Sequence, residues 1–378
     1  MSLEKLRIGF IGGGENSAVG TTHQIASQMD GMWKLQAGCF STHPEVNLST
    51  ADSWGVPLDR VYNDWQQMLL SEKGKLDAIV VLTPTPLHAD IVEKAILSGY
   101  AVICEKALVT SSQEAKRLRS VVEDSEGFLA ITYNYTGYPM VRELRNLIST
   151  GKLGTLNQIQ IEMPQEGFMR LDKDGNKPRP QKWRTIDQKI PTAYLDLGVH
   201  LHQMVSFLSA QKPVELVAMN NSYGLVPDII DNTMCLAKYT NNLDVQVWFS
   251  KCAIGHSNGL RVRVYGTLGA AEWFQLQPES ITFTDNYSHK QIIERTSVEL
   301  NVASELRYNR FKAGHPAGFI EAFANHYFDL AESLKEFKQT AKSTSPWVFG
   351  VDTAIEGLTF LEAMVRSAKN KTWERVES

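Results

Sequence analysis

A glutamate and a lysine, Glu105-Lys106, follow a short apolar run at residues 101–104, and later in the chain Asp196 and His200 stand four residues apart. An ammonium, an imidazole and a carboxylate are the groups that can take a hydroxyl proton while a hydride leaves the same carbon. On a helix, the Asp196–His200 spacing puts both side chains on one face, beside the apolar stripe Leu197, Leu201, Met204 and Leu208, and Gly198 leaves room between them. A lone pair of this kind more often orients the ring or caps a turn. A lysine just past a strand end is usually a solvated charge. The surrounding elements therefore decide how these residues are read.

Five strand-like runs occupy residues 6–11, 35–40, 78–82, 101–104 and 128–132, with helix candidates near 23–29, 65–70, 86–98 and 111–123. Pro86 suits a first helical turn, and Ser111 or Ser112 can cap the next helix with Glu114 close behind. This alternation predicts a doubly wound parallel sheet covered by helices on both faces. After a helix at 139–150, Gly151 and Gly154 mark a break and the pattern changes. Ile159, Ile161 and Met163 interleave with Gln158, Gln160 and Glu162, and Val262 and Val264 interleave with Arg261 and Arg263. Each such strand has one apolar and one polar face, which predicts a large, mostly antiparallel sheet with an open side. The expected domains are 1–135, an α/β unit, and 136–378, an α+β unit closed by helices at 318–337 and 353–367. The broad open sheet favours self-association over a merely solvated face, as a homodimer or homotetramer.

The first strand runs into Gly12-Gly13-Gly14. Glycines at such a turn let backbone amides approach a pyrophosphate, and the following helix offers its positive end to the anion. Gly12 and Gly14 fit G-x-G, Ser17 takes the usual third place, and Gly20 comes three residues late. With the strand–helix context, the turn predicts a dinucleotide cradle of the Rossmann type, with Lys106 on the same sheet. A carboxylate that would grip the ribose diol of NAD is missing after the second strand, which ends Cys39-Phe40-Ser41-Thr42-His43. No arginine stands there to attract a 2′-phosphate. Ser41 can hydrogen-bond either sugar, so NAD and NADP both remain open.

With 378 residues, 43% hydrophobic and 21% charged, and a net charge of −4, the chain has the makings of two cored domains. No basic excess points to nucleic acid or an anionic membrane. No apolar run approaches the roughly 20 residues that span a bilayer, so the expectation is a soluble, cytoplasmic protein. Cys39, Cys104, Cys235 and Cys252 form no C-x-x-C pair, which argues for buried, reduced thiols. Cys104 reads as a small apolar filler rather than a nucleophile. His200 and His202 are spaced to point apart on a helix, and no metal site is expected. His23, His88, His256 and His315 either make structural hydrogen bonds or line a pocket. Residues 170–188 read as a long loop of the kind that carries function, and within it Trp183 is a platform for a sugar ring.

Jointly and in order, these motifs resemble the Gfo/Idh/MocA family of NAD(P)-dependent glucose–fructose oxidoreductases and inositol dehydrogenases along nearly the whole chain. The match runs through the Gly12–Gly14 turn leading to His23, Thr83-Pro84-Thr85-Pro86-Leu87-His88, Glu105-Lys106 and Asp196-x-Gly-x-His200. Weaker echoes are Trp183-Arg184, the hairpin Tyr265-Gly266-Thr267-Leu268-Gly269, and Gly314-His315-Pro316. The resemblance implies a Rossmann domain followed by a domain whose open sheet mediates assembly. It implies His200 as base, Lys106 lowering the hydroxyl pKa and relaying the proton, and Asp196 polarising the substrate and tuning the histidine. Thr83, Pro84, His88 and Glu105 would border the cofactor. Tyr135, Trp183, Arg184 and His315 would meet a sugar or polyol substrate. The glycine turn departs from the family by an insertion, Glu15–Val19, and this inserted turn and the run Tyr133-Asn134-Tyr135-Thr136-Gly137-Tyr138 look most like a levoglucosan-dehydrogenase branch. Two further departures are Thr85, where the family has asparagine, and Ala107, where it has a proline after the lysine. A non-proline cis bond costs roughly 3 kcal/mol, so trans is expected at Lys106–Ala107. The implied reaction is oxidation of a secondary hydroxyl. The alternatives are a sugar hydrolase or lyase that uses NAD transiently, and a dinucleotide-sensing regulator.

Overall fold

The computed structural model describes residues 5–312 and 314–377. In chain order its elements are β1 (Leu6–Gly12), α1 (Ala18–Gln28), β2 (Trp33–Cys39), α2 (Pro44–Trp54), α3 (Trp65–Ser71), β3 (Ala78–Leu82), α4 (His88–Leu97), β4 (Ala101–Glu105), α5 (Ser112–Asp124), β5 (Leu129–Thr132) and α6 (Pro139–Ser149). Then come β6 (Leu156–Pro164), α7 (Val199–Ser209), β7 (Pro213–Asn221), β8 (Asn232–Tyr239), β9 (Leu243–Ser250), β10 (Arg261–Gly266), β11 (Gly269–Phe274), β12 (Ser280–Asp285), β13 (Lys290–Glu294), α8 (Phe319–Thr340), α9 (Val351–Asn370) and β14 (Glu374–Arg375). Two compact units result. One comprises Met1–Gly137 with Phe319–Ile355, the other Tyr138–Gly318 with Glu356–Ser378. The helix α8, expected beyond a division at residue 135, thus belongs to the first unit.

In the first unit five parallel strands are ordered β2-β1-β3-β4-β5. Continuous apolar runs suit strands buried on both faces, and every residue of β3 is buried. The strand order reverses between β1 and β3, the place where sheets of this kind bind ligands beyond their carboxyl ends. Gly12 closes β1 there, and Thr83 and Lys106 follow β3 and β4. The return of α8 is explained by its apolar side: Phe323, Tyr327, Leu330 and Leu334 complete the core that contains Leu6, Ile8, Trp33 and Phe128. Trp33 Nε1 also donates to the Tyr327 carbonyl at 2.8 Å. Helix α1 begins five residues earlier than its expected start at 23, because Ser17 caps it by accepting from the Gly20 amide at 3.3 Å. Helix α2 was not expected. Its ends are marked by Pro44 in the first turn and by Gly55 in the left-handed conformation at φ 67°.

In the second unit nine strands are ordered β13-β12-β11-β10-β6-β9-β8-β7-β14. All neighbours are antiparallel except β6 and β9. The anticipated alternation is present. Ile159, Ile161, Val262 and Val264 are buried on the face covered by α6 and α7, while Gln160, Glu162 and Arg263 lie on the other. On that open face Met219, Met234, Leu236 and Trp248 surround a shallow cavity of about 500 Å³. Beside it, Arg263 pairs with Glu272 at 3.0 Å and with Glu162 at 3.4 Å. No helix among the described residues is long and apolar enough to cross a membrane.

Candidate active site

Within the first unit the glycine turn is shaped by its lack of side chains. Gly12 and Gly13 have φ of 82° and 69°, conformations L residues rarely adopt. A Cβ at Gly20 would lie 1.8 Å from the Gly13 carbonyl oxygen, so only glycine lets α1 start against the turn. The inserted residues are tied down. Gly14 N donates to Phe40 O at 3.2 Å, Glu15 N to Thr50 Oγ1 at 3.1 Å, and Ser17 N to Gly14 O at 2.8 Å. Ser41 lies at the mouth of α2, where its Oγ accepts from His43 N at 3.1 Å and its amide donates to Asn47 Oδ1 at 2.8 Å.

Glu105 closes β4 as a buried carboxylate. It meets His23 Nε2 at 3.0 Å, and the Thr132 hydroxyl donates to it. His23 reaches on to the Tyr327 hydroxyl at 2.7 Å, so α1, β4 and α8 are joined through one polar chain. Burial alone would push the Glu105 carboxyl up. The His23 hydrogen bond, the charges of His23 and Lys106, and the Thr132 hydroxyl outweigh it and hold the carboxyl down at about 2. Glu105 is thus a fixed anion directly behind Lys106. Its other neighbour, Cys104, is fully buried, and burial raises its thiol well above the usual range, as befits a core filler.

His88 is buried, with Nδ1 3.0 Å from Ala107 O and 3.1 Å from Leu108 O, and Nε2 2.7 Å from Thr83 O. It braces the chain segments on either side of the sheet edge. Burial pushes its pKa down, partly offset by those carbonyls and by Glu105. The Lys106–Ala107 bond is cis, which corrects the expectation of trans. The intrinsic preference of the bond is for trans, whereas here Ala107 and Leu108 are enclosed in the core with their carbonyls turned to His88. Thr83 Oγ1 and Asn134 Nδ2, just beyond β3 and β5 on either side of the Lys106 strand, are buried without a hydrogen-bond partner among the described residues. Such orphaned atoms at a sheet's carboxyl edge, together with the open glycine turn, fit a polar ligand such as a dinucleotide.

Within the second unit Asp196 does not lie on an α-helix. It sits in a π-helical turn, Tyr194–Gly198, that leads into α7, and His200 occupies the first turn of α7. Turns of this kind recur at functional sites. Gly198 makes room not between Asp196 and His200 but for Leu361 and the Phe249 ring, which a Cβ would meet at 3.0 and 3.1 Å. His200 is buried, at 5% exposure. Two cations hold Asp196 Oδ2: Arg184, from the short 3-10 turn Lys182–Thr185, and Lys251 Nζ at 2.6 Å. Sequence reading singled out Arg184 but missed Lys251, which follows β9 and resembles any surface lysine until the fold buries it.

The other candidates are spread more widely. Tyr135 is buried against Phe319, ring centroids 6.0 Å apart. Trp183 donates to Gln181 at 2.9 Å and carries the Arg184 guanidinium 4.4 Å over its ring, so one face of that platform is covered. His315 is exposed, its ring against Phe311 and its carbonyl accepting from Arg295 at 3.2 Å. Pro84 precedes the turn Thr85–Leu87. His202 contacts Tyr239 and Glu356 at 3.2 Å each and stacks on Phe360.

Comparison with known proteins gives two family matches. Residues 6–133 match an oxidoreductase family with an NAD-binding Rossmann fold, and residues 141–272 match the GFO/IDH/MocA C-terminal domain. The oxidoreductase YfiI of Bacillus subtilis (strain 168) is 29% identical over 96% of this chain and 94% of its own. Levoglucosan dehydrogenase of Pseudarthrobacter phenanthrenivorans is 22% identical over 71% of this chain and 73% of its own. Among solved structures, an inositol dehydrogenase homolog from Azotobacter vinelandii, complexed with NADH and myo-inositol, superposes with a TM-score of 0.88 at 25% identity, covering 98% of both chains.

Proposed function

The chain belongs to the Gfo/Idh/MocA family of NAD-binding oxidoreductases, and from that premise we propose that it oxidises a secondary hydroxyl of a sugar, anhydrosugar or cyclitol. The observation that carries this reading is the Asp196 carboxylate, fixed by Arg184 and Lys251 four residues before the buried His200. A carboxylate, an imidazole and an ammonium together suit proton removal from an alcohol.

When bound, NAD or NADP supplies the nicotinamide that accepts the hydride. The glycine pair and the first turn of α1 offer backbone amides to its pyrophosphate, because the amides of Gly14, Glu15 and Ser17 are already engaged by Phe40, Thr50 and Gly14. Ser41 is assigned to the ribose, and Thr83 and Pro84 to the border of the nicotinamide. His88 and Glu105 act behind that border, one bracing the backbone and the other keeping Lys106 beside a fixed negative charge. In this reading His200 takes the hydroxyl proton. Lys106 donates to the substrate oxygen and stabilises the alkoxide as it forms. Tyr135, Trp183, Arg184 and His315 are assigned to substrate contacts, and inositol and levoglucosan dehydrogenases among the relatives support a polyol or sugar.

The open sheet face, with Met219, Met234 and Trp248 around its cavity, is assigned to self-association. The free thiols of Cys39, Cys104, Cys235 and Cys252 suit the reducing cytoplasm.

The test is a screen of monosaccharides, anhydrosugars and inositols with both NAD and NADP, followed by absorbance of the reduced cofactor. Lys106→Ala is expected to abolish turnover while NADH still binds. Cofactor binding with no reduction by any polyol, from mildly acid to alkaline pH, overturns the reading. Glycoside cleavage without accumulation of NADH would instead establish a hydrolase or lyase that oxidises its substrate only transiently.

A further inference from the structure

Lys251 is 7% exposed, an uncommon place for an ammonium, and the chain holds it at every point. Its amide donates to Asp231 O at 2.7 Å, its carbonyl accepts from Phe168 N at 2.8 Å, and its Nζ lies 5.4 Å over the Phe168 ring. The side chain then ends 2.6 Å from Asp196 Oδ2, the same oxygen that Arg184 engages. A single cation would suffice to pair that carboxylate, and here a second is delivered from a different element to the same atom.

Resting on the functional reading above, we infer that Lys251 is a positioning residue for the proton step: with Arg184 it keeps Asp196 ionised and compensated, so that the proton is exchanged by His200 alone. In the oxidation, the hydroxyl O–H bond breaks and its proton passes to the His200 ring. The C–H bonding pair leaves as hydride to the oxidised nicotinamide, and the carbonyl forms. A bare carboxylate four residues before it would favour the charged imidazolium and leave the ring a base that is protonated, and therefore idle, at neutral pH. A carboxylate held by two cations exerts much less of that pull. Arg184 from the 182–185 turn and Lys251 from the segment after β9 pair with Asp196, and His200 follows it by four residues at the start of α7.

Lys251→Met restores part of the negative charge of Asp196 toward His200. The acid limb of kcat/KM for alcohol oxidation, which reports loss of the proton from the base in the free enzyme, is expected to move up by about one pH unit. Lys251→Arg, which keeps the charge, should leave the limb where the wild type has it. If Lys251→Met does not fold, Lys251→Gln carries the same test, since it removes the charge but still donates to Asp196. A neutral variant whose limb coincides with the wild type, with activity lowered by one factor at all pH, overturns the inference, as does an equal shift in Lys251→Arg. Failure of the functional reading is distinct, because the wild type would then show no pH profile to compare.

Discussion

Glu105→Gln tests the polar chain behind Lys106. The carboxylate is 8% exposed and its pKa is held at about 2, against an ordinary value of 4.5. A depression of that size corresponds to roughly 3 kcal/mol of folding stability. Because the folded-state value is lowered, this stability is fully present above about pH 4.5, falls to about half near pH 3, and is gone below about pH 2. Glutamine keeps an oxygen that can accept from His23 and Thr132, so the substitution isolates the charge from the hydrogen bonds. The assay is urea unfolding of wild type and variant at several pH values between 7 and 3, followed by tryptophan fluorescence. The difference between the two proteins is expected near 3 kcal/mol at neutral pH and to shrink steadily as the solution is acidified. Parallel stability curves across that range would refute the reasoning, since they would mean that the carboxylate is no better stabilised in the folded protein than in the unfolded chain.

Two further substitutions probe the turn and the sheet. Gly20→Ala places a Cβ against the Gly13 carbonyl, with backbone on both sides, and should lower stability by about 1–3 kcal/mol and weaken NADH binding by about tenfold, read by thermal melting and fluorescence titration. Met234 faces Met219 and Trp248 across the open side of the second sheet, so Met234→Glu should yield monomers in sedimentation velocity while cofactor binding persists.

The parallel sheet was legible because its strands are buried on both faces and read as apolar runs, as in Ala78–Leu82. The open sheet was legible from Ile159, Ile161, Val262 and Val264 at alternating positions. Helix α2 was not, since most of its residues are polar and only its Pro44 start and Gly55 stop mark it. Neither was the π-helical turn at Asp196. Gly198 within it packs against Leu361, which arrives from a helix far along the chain. Lys251 was hidden for the same reason. A lysine after a strand announces nothing until the pairing of β6 with β9 and the course of residues 182–185 bring it to Asp196.

The return of α8 to the first unit sets a timetable for synthesis. Residues 1–137 leave the ribosome with Leu6, Trp33 and Phe128 bare, and their cover arrives only after the whole second sheet has been translated. Through that interval a nascent parallel sheet presents a greasy flank, the condition in which growing chains rely on chaperones or stick to one another. A polypeptide ended after residue 137 would stay in that state permanently, so the nucleotide half cannot be cut out as a free-standing binding module.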